Sequence, residues 1–198
     1  MKKIVLVAIY MAAGKFVFAQ PENLYIGVKS GVNIASLNVD KGVDYTSRAS
    51  LYAGGLAHLH LTPHFALQHE LFFSGQGGKN NGNNLRLAYL NSPLLAQYMA
   101  AGGLRFETGP QLGFLLAAKE KDGNVETTIK DQIRPVDFSW VFGVGYLFPG
   151  TGLGVDARYN VGVSNINDGS GTIQNRVLSI GLFYQWQCAM HEKMHRRK

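Results

Sequence analysis

Eight stretches of alternating apolar and polar residues run along the chain from Leu24 to Trp186. The seventh is the clearest: apolar side chains occupy every second position from Leu153 to Val163, and the positions between them are small, polar or charged. Successive side chains of a β-strand point to opposite faces, so the pattern predicts strands with one apolar and one polar face. Each stretch spans about 10 to 14 residues, enough for a tilted strand to cross a bilayer.

The connections between these stretches are alternately short and long. Turn-forming residues mark three short connections, at 62–64, 101–102 and 149–152. Four longer polar segments lie between them, at about 35–47, 75–84, 118–136 and 165–173. This alternation predicts periplasmic turns, extracellular loops and two periplasmic termini.

The hairpin around 149–152 fixes a strand register, and this register tests the assignment of the apolar and polar faces. It sets Tyr146 opposite Val155, Val144 opposite Ala157 and Phe142 opposite Tyr159 outside, and Gly145 opposite Asp156 and Gly143 opposite Arg158 inside. Apolar residues therefore meet on one face, and glycines leave room for charged side chains on the other. The sequence predicts an all-β fold, an eight-stranded antiparallel up-and-down transmembrane β-barrel in the outer membrane of a Gram-negative cell.

A soluble barrel of the lipocalin type is the alternative, with its apolar face turned inward. That arrangement would crowd aromatic rings into a narrow interior and expose a glycine-rich face, so the membrane barrel is favoured. The polar face then lines the lumen and carries a predicted charge network of Lys29, Glu70, Arg105, Glu107, Asp156 and Arg158. Arg105 or Arg158 is expected to pair with Glu70 or Glu107. Side chains fill the lumen of an eight-stranded barrel, so an open porin channel is not expected.

The two ends of the chain are predicted to be segments separate from the barrel. A basic start, an apolar run and a small residue at position 19 predict a signal peptide over residues 1–19. The barrel domain is predicted over 20–186, followed by a basic tail at 187–198. The full chain carries 19 Lys and Arg against 13 Asp and Glu, but residues 20–186 hold 12 of each. The body is therefore neutral, and no nucleic-acid partner is expected.

Several motifs also resemble a known family. They are Gly27–Asn33 in the first strand, Phe65–Ser74 and Leu87–Leu95 in the middle, and Gly109–Gly113 later. In their order and spacing they resemble the PorT-like outer-membrane β-barrel proteins over nearly all of the mature chain. The resemblance implies an outer-membrane barrel, and its namesake is associated with protein secretion. The chain departs from the pattern at His69, on the lipid-facing side, and in the tail after Trp186.

Candidate chemistry is sparse. His58, Glu70 and Ser74 could form a membrane hydrolase site, but no serine has a recognisable nucleophile setting, and packed lumen groups are the favoured interpretation. His58 and His60 could bind a metal, but they have no carboxylate or cysteine beside them at ligand spacing. His191 and His195 have helical i,i+4 spacing, and a frayed basic tail is the favoured interpretation. The glycines of 150–154 form a turn that leads into a strand, so they are not a phosphate loop. We expect no catalytic residues, no cofactor and no metal. The single cysteine, Cys188, excludes an internal disulfide framework.

Three classes of function remain after these exclusions. The favoured class is a non-enzymatic barrel with a structural, assembly or secretion-accessory role. The second is a binding or adhesion protein that uses its extracellular loops, of which 118–136 is the longest and most charged. The third is a membrane hydrolase. The expected partners are outer-membrane lipids and the barrel-assembly machinery, with secretion-system components or an extracellular ligand of the loops as alternatives.

Overall fold

A computed structural model describes residues 23–40, 45–80, 83–123, 125–169 and 171–188. The predicted signal peptide and the tail histidines His191 and His195 lie outside these residues. The strands are β1 (Leu24–Val39), β2 (Thr46–His60), β3 (Phe65–Asn80), β4 (Asn83–Met99), β5 (Leu104–Asp122), β6 (Val125–Thr128), β7 (Val136–Leu147), β8 (Leu153–Gly162) and β9 (Ile173–Gln187). The described residues contain no helix long and apolar enough to cross a membrane.

Eight of these strands close into a ring. Sequential neighbours pair antiparallel, β5 pairs with β7, and β9 returns to pair with β1. The remaining strand, β6, is a short arm that pairs with the outer end of β5. The predicted eight-stranded antiparallel barrel is confirmed, and closure leaves no unpaired edge among its eight wall strands.

The predicted hairpin register is also confirmed. Tyr146 pairs with Val155, Gly145 with Asp156, and Gly143 with Arg158, as the turn at 149–152 requires. Gly150 and Gly152 adopt φ values of 76° and 75° in that turn, a region that residues with a Cβ rarely occupy. The turn chemistry therefore fixes which face of β7 and β8 points into the lumen.

The outer face of the barrel wall is apolar and its inner face is polar, as the alternation predicts. Large apolar side chains point outward and stay exposed, including Phe142 (54%), Ile180 (54%) and Leu182 (56%). Polar and charged side chains point inward and are buried. A few polar residues also face outward; one is His69, whose Nε2 lies 3.0 Å from Ser92 Oγ.

The strands on one side of the barrel are longer than the sequence indicated. The predicted loops at 35–47 and 75–84 are wrong in extent, because β1 continues to Val39, β3 to Asn80, and β4 begins at Asn83. These extensions bury apolar residues between the strands at the end that carries the long connections. We call this cluster the apolar cap; it comprises Leu37, Leu85, Leu87, Tyr89, Leu115, Ala118, Ile133 and Ile166.

Two chain segments fold across the mouth of the barrel to complete the cap. Ile133 follows a single 3₁₀ turn and forms a bridge with Asn167, and Arg134 N–H donates to Ile166 O at 2.8 Å. Ile166 is fully buried. The segment 129–135 therefore does not project as a free loop. It closes the outer end of the lumen over an apolar layer.

Candidate functional site

The middle of the lumen is organised around Arg158 on β8. Its guanidinium donates to both carboxylate oxygens of Glu70, with Nη1–Oε2 at 2.7 Å and Nη2–Oε1 at 2.8 Å. It also forms ion pairs with Glu107 and, at 3.2 Å, with Asp156. Arg158 thus connects strands on opposite sides of the ring. The planar fork of donors on arginine suits such a shared site better than an ammonium does.

Lys29 on β1 completes this group from another side of the lumen. Its Nζ lies 2.9 Å from Asp156 Oδ2 and 3.3 Å from Glu70 Oε2. The ammonium also lies 5.5 Å from the centre of the Tyr52 ring, and the Tyr52 hydroxyl donates to Asp156 Oδ1 at 3.3 Å. We call Lys29, Glu70, Glu107, Asp156 and Arg158 the central ion cluster. All five residues are buried.

Neutral amides add hydrogen bonds to two carboxylates of the cluster. Gln68 Nε2 donates to Glu70 Oε1 at 2.5 Å, and Gln97 Nε2 donates to Glu107 Oε2 at 2.6 Å. A buried charge is tolerated when it is both paired and hydrogen-bonded. The cluster therefore fills the lumen as a closed polar network.

Arg105 stands apart from the carboxylates. Its Nη1 donates to Gln185 Oε1 at 3.1 Å, and its guanidinium carbon lies 5.8 Å from the centre of the Phe183 ring. In the described part of the chain no carboxylate lies within ion-pair distance of Arg105. Of the predicted pairings, the structure contains Arg158 with Glu70 and with Glu107; the alternative with Arg105 is wrong. The interaction of Arg105 with an amide and an aromatic ring has no local sequence signal.

A layer of amides and hydroxyls lies between the cluster and the apolar cap. Asn33 Nδ2 donates to Ser74 Oγ at 2.9 Å, and Ser179 Oγ donates to Asn33 Oδ1 at 2.8 Å. Closer to the cap, the buried carboxylate of Asp137 accepts from Ser164 Oγ at 2.7 Å and from Asn175 Nδ2 at 2.8 Å. From the central ion cluster outward, the lumen thus changes to a layer of hydrogen-bonded polar side chains and then to apolar side chains.

The residues of the candidate hydrolase site do not come together. His58 Nδ1 lies 3.1 Å from Gln68 Oε1, and its strand register places it opposite Gln68. Ser74 lies opposite Tyr52, six residues along β2, which separates it from His58 by about 20 Å. The Ser74 hydroxyl instead accepts from Asn33. The rings of His58 and His60 lie edge to face, with their centres 4.7 Å apart. The described residues hold no group of three or more side chains suited to a metal ion.

Sequence reasoning missed the apolar cap, and it left the buried carboxylate of Asp137 out of the predicted charge network. Ile133 and Ile166 each stand alone in a polar segment, so no periodicity marks them as core residues. The available signal was an isolated large apolar residue inside each long external connection. Such a residue is common on protein surfaces and is not informative by itself.

Residues 18–168 match the sequence model of a protein family, which is described as "Outer membrane protein beta-barrel domain". The chain belongs to that family. No curated protein matches it by sequence. The family places this barrel in the outer membrane, with the apolar outer face in contact with lipid.

Solved structures of two outer-membrane barrels are similar in fold. Ail, the attachment invasion locus protein of Yersinia pestis, shares 12% identity with a TM-score of 0.52, covering 83% of this chain and 99% of Ail. Neisserial surface protein A (NspA) shares 14% identity with a TM-score of 0.53, covering 82% of this chain and 97% of NspA. At these identities the likeness concerns the fold alone.

The orientation of the barrel in the membrane gives a direct prediction. The capped end with the long connections should face the cell exterior, and the turn at 149–152 should face the periplasm. A broad-specificity protease added to intact cells should cut within 118–136, where all four residues of β6 are exposed, and spare 149–152. Mass spectrometry of the fragments reads this out, with permeabilised cells as the control. Cleavage at 149–152 in intact cells would reverse the orientation.

Proposed function

We propose that this protein is a non-catalytic outer-membrane barrel with a structural role or an accessory role in assembly or secretion. The observation that carries the proposal is the occupied lumen. The central ion cluster and the apolar cap fill it at two levels, so the barrel acts through its surfaces and not as a passage. The resemblance of its motifs to the PorT-like proteins supports an accessory role in secretion. The corresponding partners are the barrel-assembly machinery and components of a secretion system.

Adhesion or ligand binding at the cell surface is the second candidate, and one feature favours it. β5 extends to Asp122 between β4 and β6, so the short arm β6 forms an additional edge strand at the outer end of the wall. All four residues of β6 are exposed, and Val125 is 66% exposed. A short strand with an exposed edge can pair with an extended segment of another protein.

A hydrolase has the least support, because His58 and Ser74 lie at different levels of the lumen.

One complementation experiment separates these candidates. Replacing residues 121–126 with Asn-Gly removes the tip of the arm and lets Glu120 and Thr127 flank a two-residue hairpin turn. Cells lacking the protein would be complemented with the wild type or with this trimmed variant. Proteomics would compare outer-membrane and secreted proteins, and a surface-attachment assay would run in parallel. Heat-dependent gel mobility confirms that the trimmed barrel is folded.

An accessory role predicts an altered outer-membrane or secreted protein profile in the deleted cells, restored equally by both forms. Attachment that depends on the wild-type arm, with unchanged protein profiles, would replace the proposal with the adhesion candidate. Normal profiles and normal attachment in the deleted cells would contradict both.

A further inference from the structure

The outer surface of the barrel carries a cavity of about 400 Å³ across β2, β3, β4 and β5. Its lining combines two kinds of side chain. Arg48, Arg86 and Lys119 contribute positive charge, whereas Leu51, Phe73 and Ala88 contribute apolar surface. Such a mixture is unusual on a wall that is otherwise apolar outside, and it indicates a ligand with a charged group attached to an apolar body.

The cavity lies where the apolar outer belt meets the cationic outer rim. Leu51 is 69% exposed and Phe73 is 48% exposed, so both present surface to lipid chains. On the outer face of β4 and β5, Ala88 pairs with Ala117. The next pair on this face, one step closer to the outer rim, is Arg86 with Lys119. The change from apolar to cationic residues within one such step places the cavity at the depth of the lipid headgroups in the outer leaflet.

A break in the β2–β3 ladder shapes the cavity. The register shifts between Ser47 and Tyr52 of β2, and side chains take over the hydrogen bonds that the ladder lacks there. Arg48 Nη1 donates to Gln76 O at 2.9 Å, and Ser50 Oγ donates to Gly75 O at 2.5 Å. The bulge therefore holds the Arg48 side chain at the wall of the cavity by a backbone contact.

The positive charge of the site is only partly neutralised by its neighbours. Glu126 of β6 lies 2.5 Å from Lys119 Nζ and 3.5 Å from Arg86 Nη1, and the Lys119 ammonium lowers the pKa of the Glu126 carboxyl. Within the described residues, no carboxylate lies at ion-pair distance from Arg48. Three cations facing one carboxylate leave an excess of positive charge beside the apolar floor.

We propose that this cavity binds a phosphate group of a phosphorylated glycolipid of the outer leaflet. Arg48 and Arg86 hold the phosphate oxygens, Lys119 adds charge, and the acyl chains lie against Leu51 and Phe73. Arginine is suited to this role because its forked donors match phosphate geometry. Glu126 competes with the phosphate for Arg86 and Lys119, so it weakens binding. The site lies on the outside of the wall and is independent of the closed lumen.

Native mass spectrometry of the detergent-solubilised full protein can test this proposal. The probe is lipid A carrying two phosphates, and the comparison is the same lipid after its phosphates are removed. The phosphorylated form should bind with defined stoichiometry and the dephosphorylated form at least tenfold more weakly, a difference of about 1.4 kcal/mol. The double substitution Arg48→Gln with Arg86→Gln should cause a similar loss, and Glu126→Gln should tighten binding several-fold.

Two further variants isolate the site from net charge and from folding. Lys130→Gln with Arg176→Gln removes two cations that do not line the cavity, and it should leave binding unchanged. Ala88→Asp places a carboxylate in the cavity without touching the Arg48 hydrogen bond, and it should also abolish binding. Heat-dependent gel mobility reports whether each variant is folded.

Three results would overturn the proposal. One is equal binding of phosphorylated and dephosphorylated lipid A. Another is an equal loss of binding in the Lys130 and Arg176 control, which would reduce the effect to overall charge. The third is full competition by millimolar inorganic phosphate, which would identify a simple anion site that does not recognise lipid.

Discussion

Replacing Arg158 with glutamine is expected to destabilise the barrel by about 3–5 kcal/mol, the cost of removing one partner from a buried ion cluster. The central ion cluster holds two cations and three carboxylates, all buried. Without Arg158, Lys29 alone faces Glu70, Glu107 and Asp156, and the ion-paired partner of Glu107 is lost. Urea unfolding of the protein in lipid measures this change in the free energy of unfolding.

The opposite substitution should cost less, although it also breaks the ion pair between Arg158 and Glu70. Glu70→Gln leaves two cations with two carboxylates, so the charges within the cluster balance. We expect a loss of about 1–3 kcal/mol, set by the hydrogen bonds that Arg158 no longer makes to Glu70. Combining Glu70→Gln with Arg158→Gln should cost less than the sum of the two single changes.

The pair Arg105 and Glu107 serves as the control for this cycle. Both are buried on β5, but Arg105 contacts Gln185 and Phe183 instead of Glu107. No ion pair joins these two side chains, so their substitutions with glutamine should couple much less than those of Glu70 and Arg158, through the attraction of two nearby charges alone. Strict additivity for Glu70 with Arg158 would show that water screens the cluster and that the lumen is hydrated.

The sequence allowed the wall of the barrel to be predicted because two independent constraints agree. Turn residues at 149–152 set the register of β7 against β8, and alternation set which side chains point inward. Both are local properties, since pairing across a hairpin involves residues close in the chain. The positions of Asp156 and Arg158 opposite Gly145 and Gly143 follow directly from them.

Contacts across the lumen could not be predicted in the same way. Arg158 and Glu70 lie on β8 and β3, and their contact depends on the stagger of the closed ring and on the reach of both side chains. The strand extensions were missed for a related reason. Above the membrane the outer face no longer contacts lipid, so polar residues appear on it and the apolar-outward pattern ends before the strands do.

Replacing Phe142 with arginine is the sharpest test of the outer face. Phe142 lies near the middle of β7, is 54% exposed, and pairs with Thr108 and Tyr159 at the level of the buried cluster. An arginine there must enter the hydrocarbon near the middle of the membrane, at a cost of about 2–4 kcal/mol.

Val136→Arg provides a matched control on the same strand and the same face. Val136 is the first residue of β7, at the outer rim, and is 43% exposed. An arginine there can reach water or lipid headgroups, so the cost should fall to about 0–1 kcal/mol. Folding efficiency into lipid vesicles and urea unfolding measure both variants. Equal costs at positions 136 and 142 would contradict the depth assigned to β7.

Gly143→Ala examines the inner face next to Phe142. A Cβ at Gly143 would lie 2.6 Å from Glu107 Oε1 and 3.0 Å from Arg158 Cγ, closer than ordinary packing allows. The added methyl should therefore destabilise the barrel by displacing members of the central ion cluster, and this effect should shrink when Glu107 is shortened to alanine, because only the tight contact with Arg158 then remains. The Phe142→Arg penalty should instead persist in that background, because it arises in the lipid. The two neighbouring residues thus distinguish a crowded polar lumen from a lipid-facing surface on a single strand.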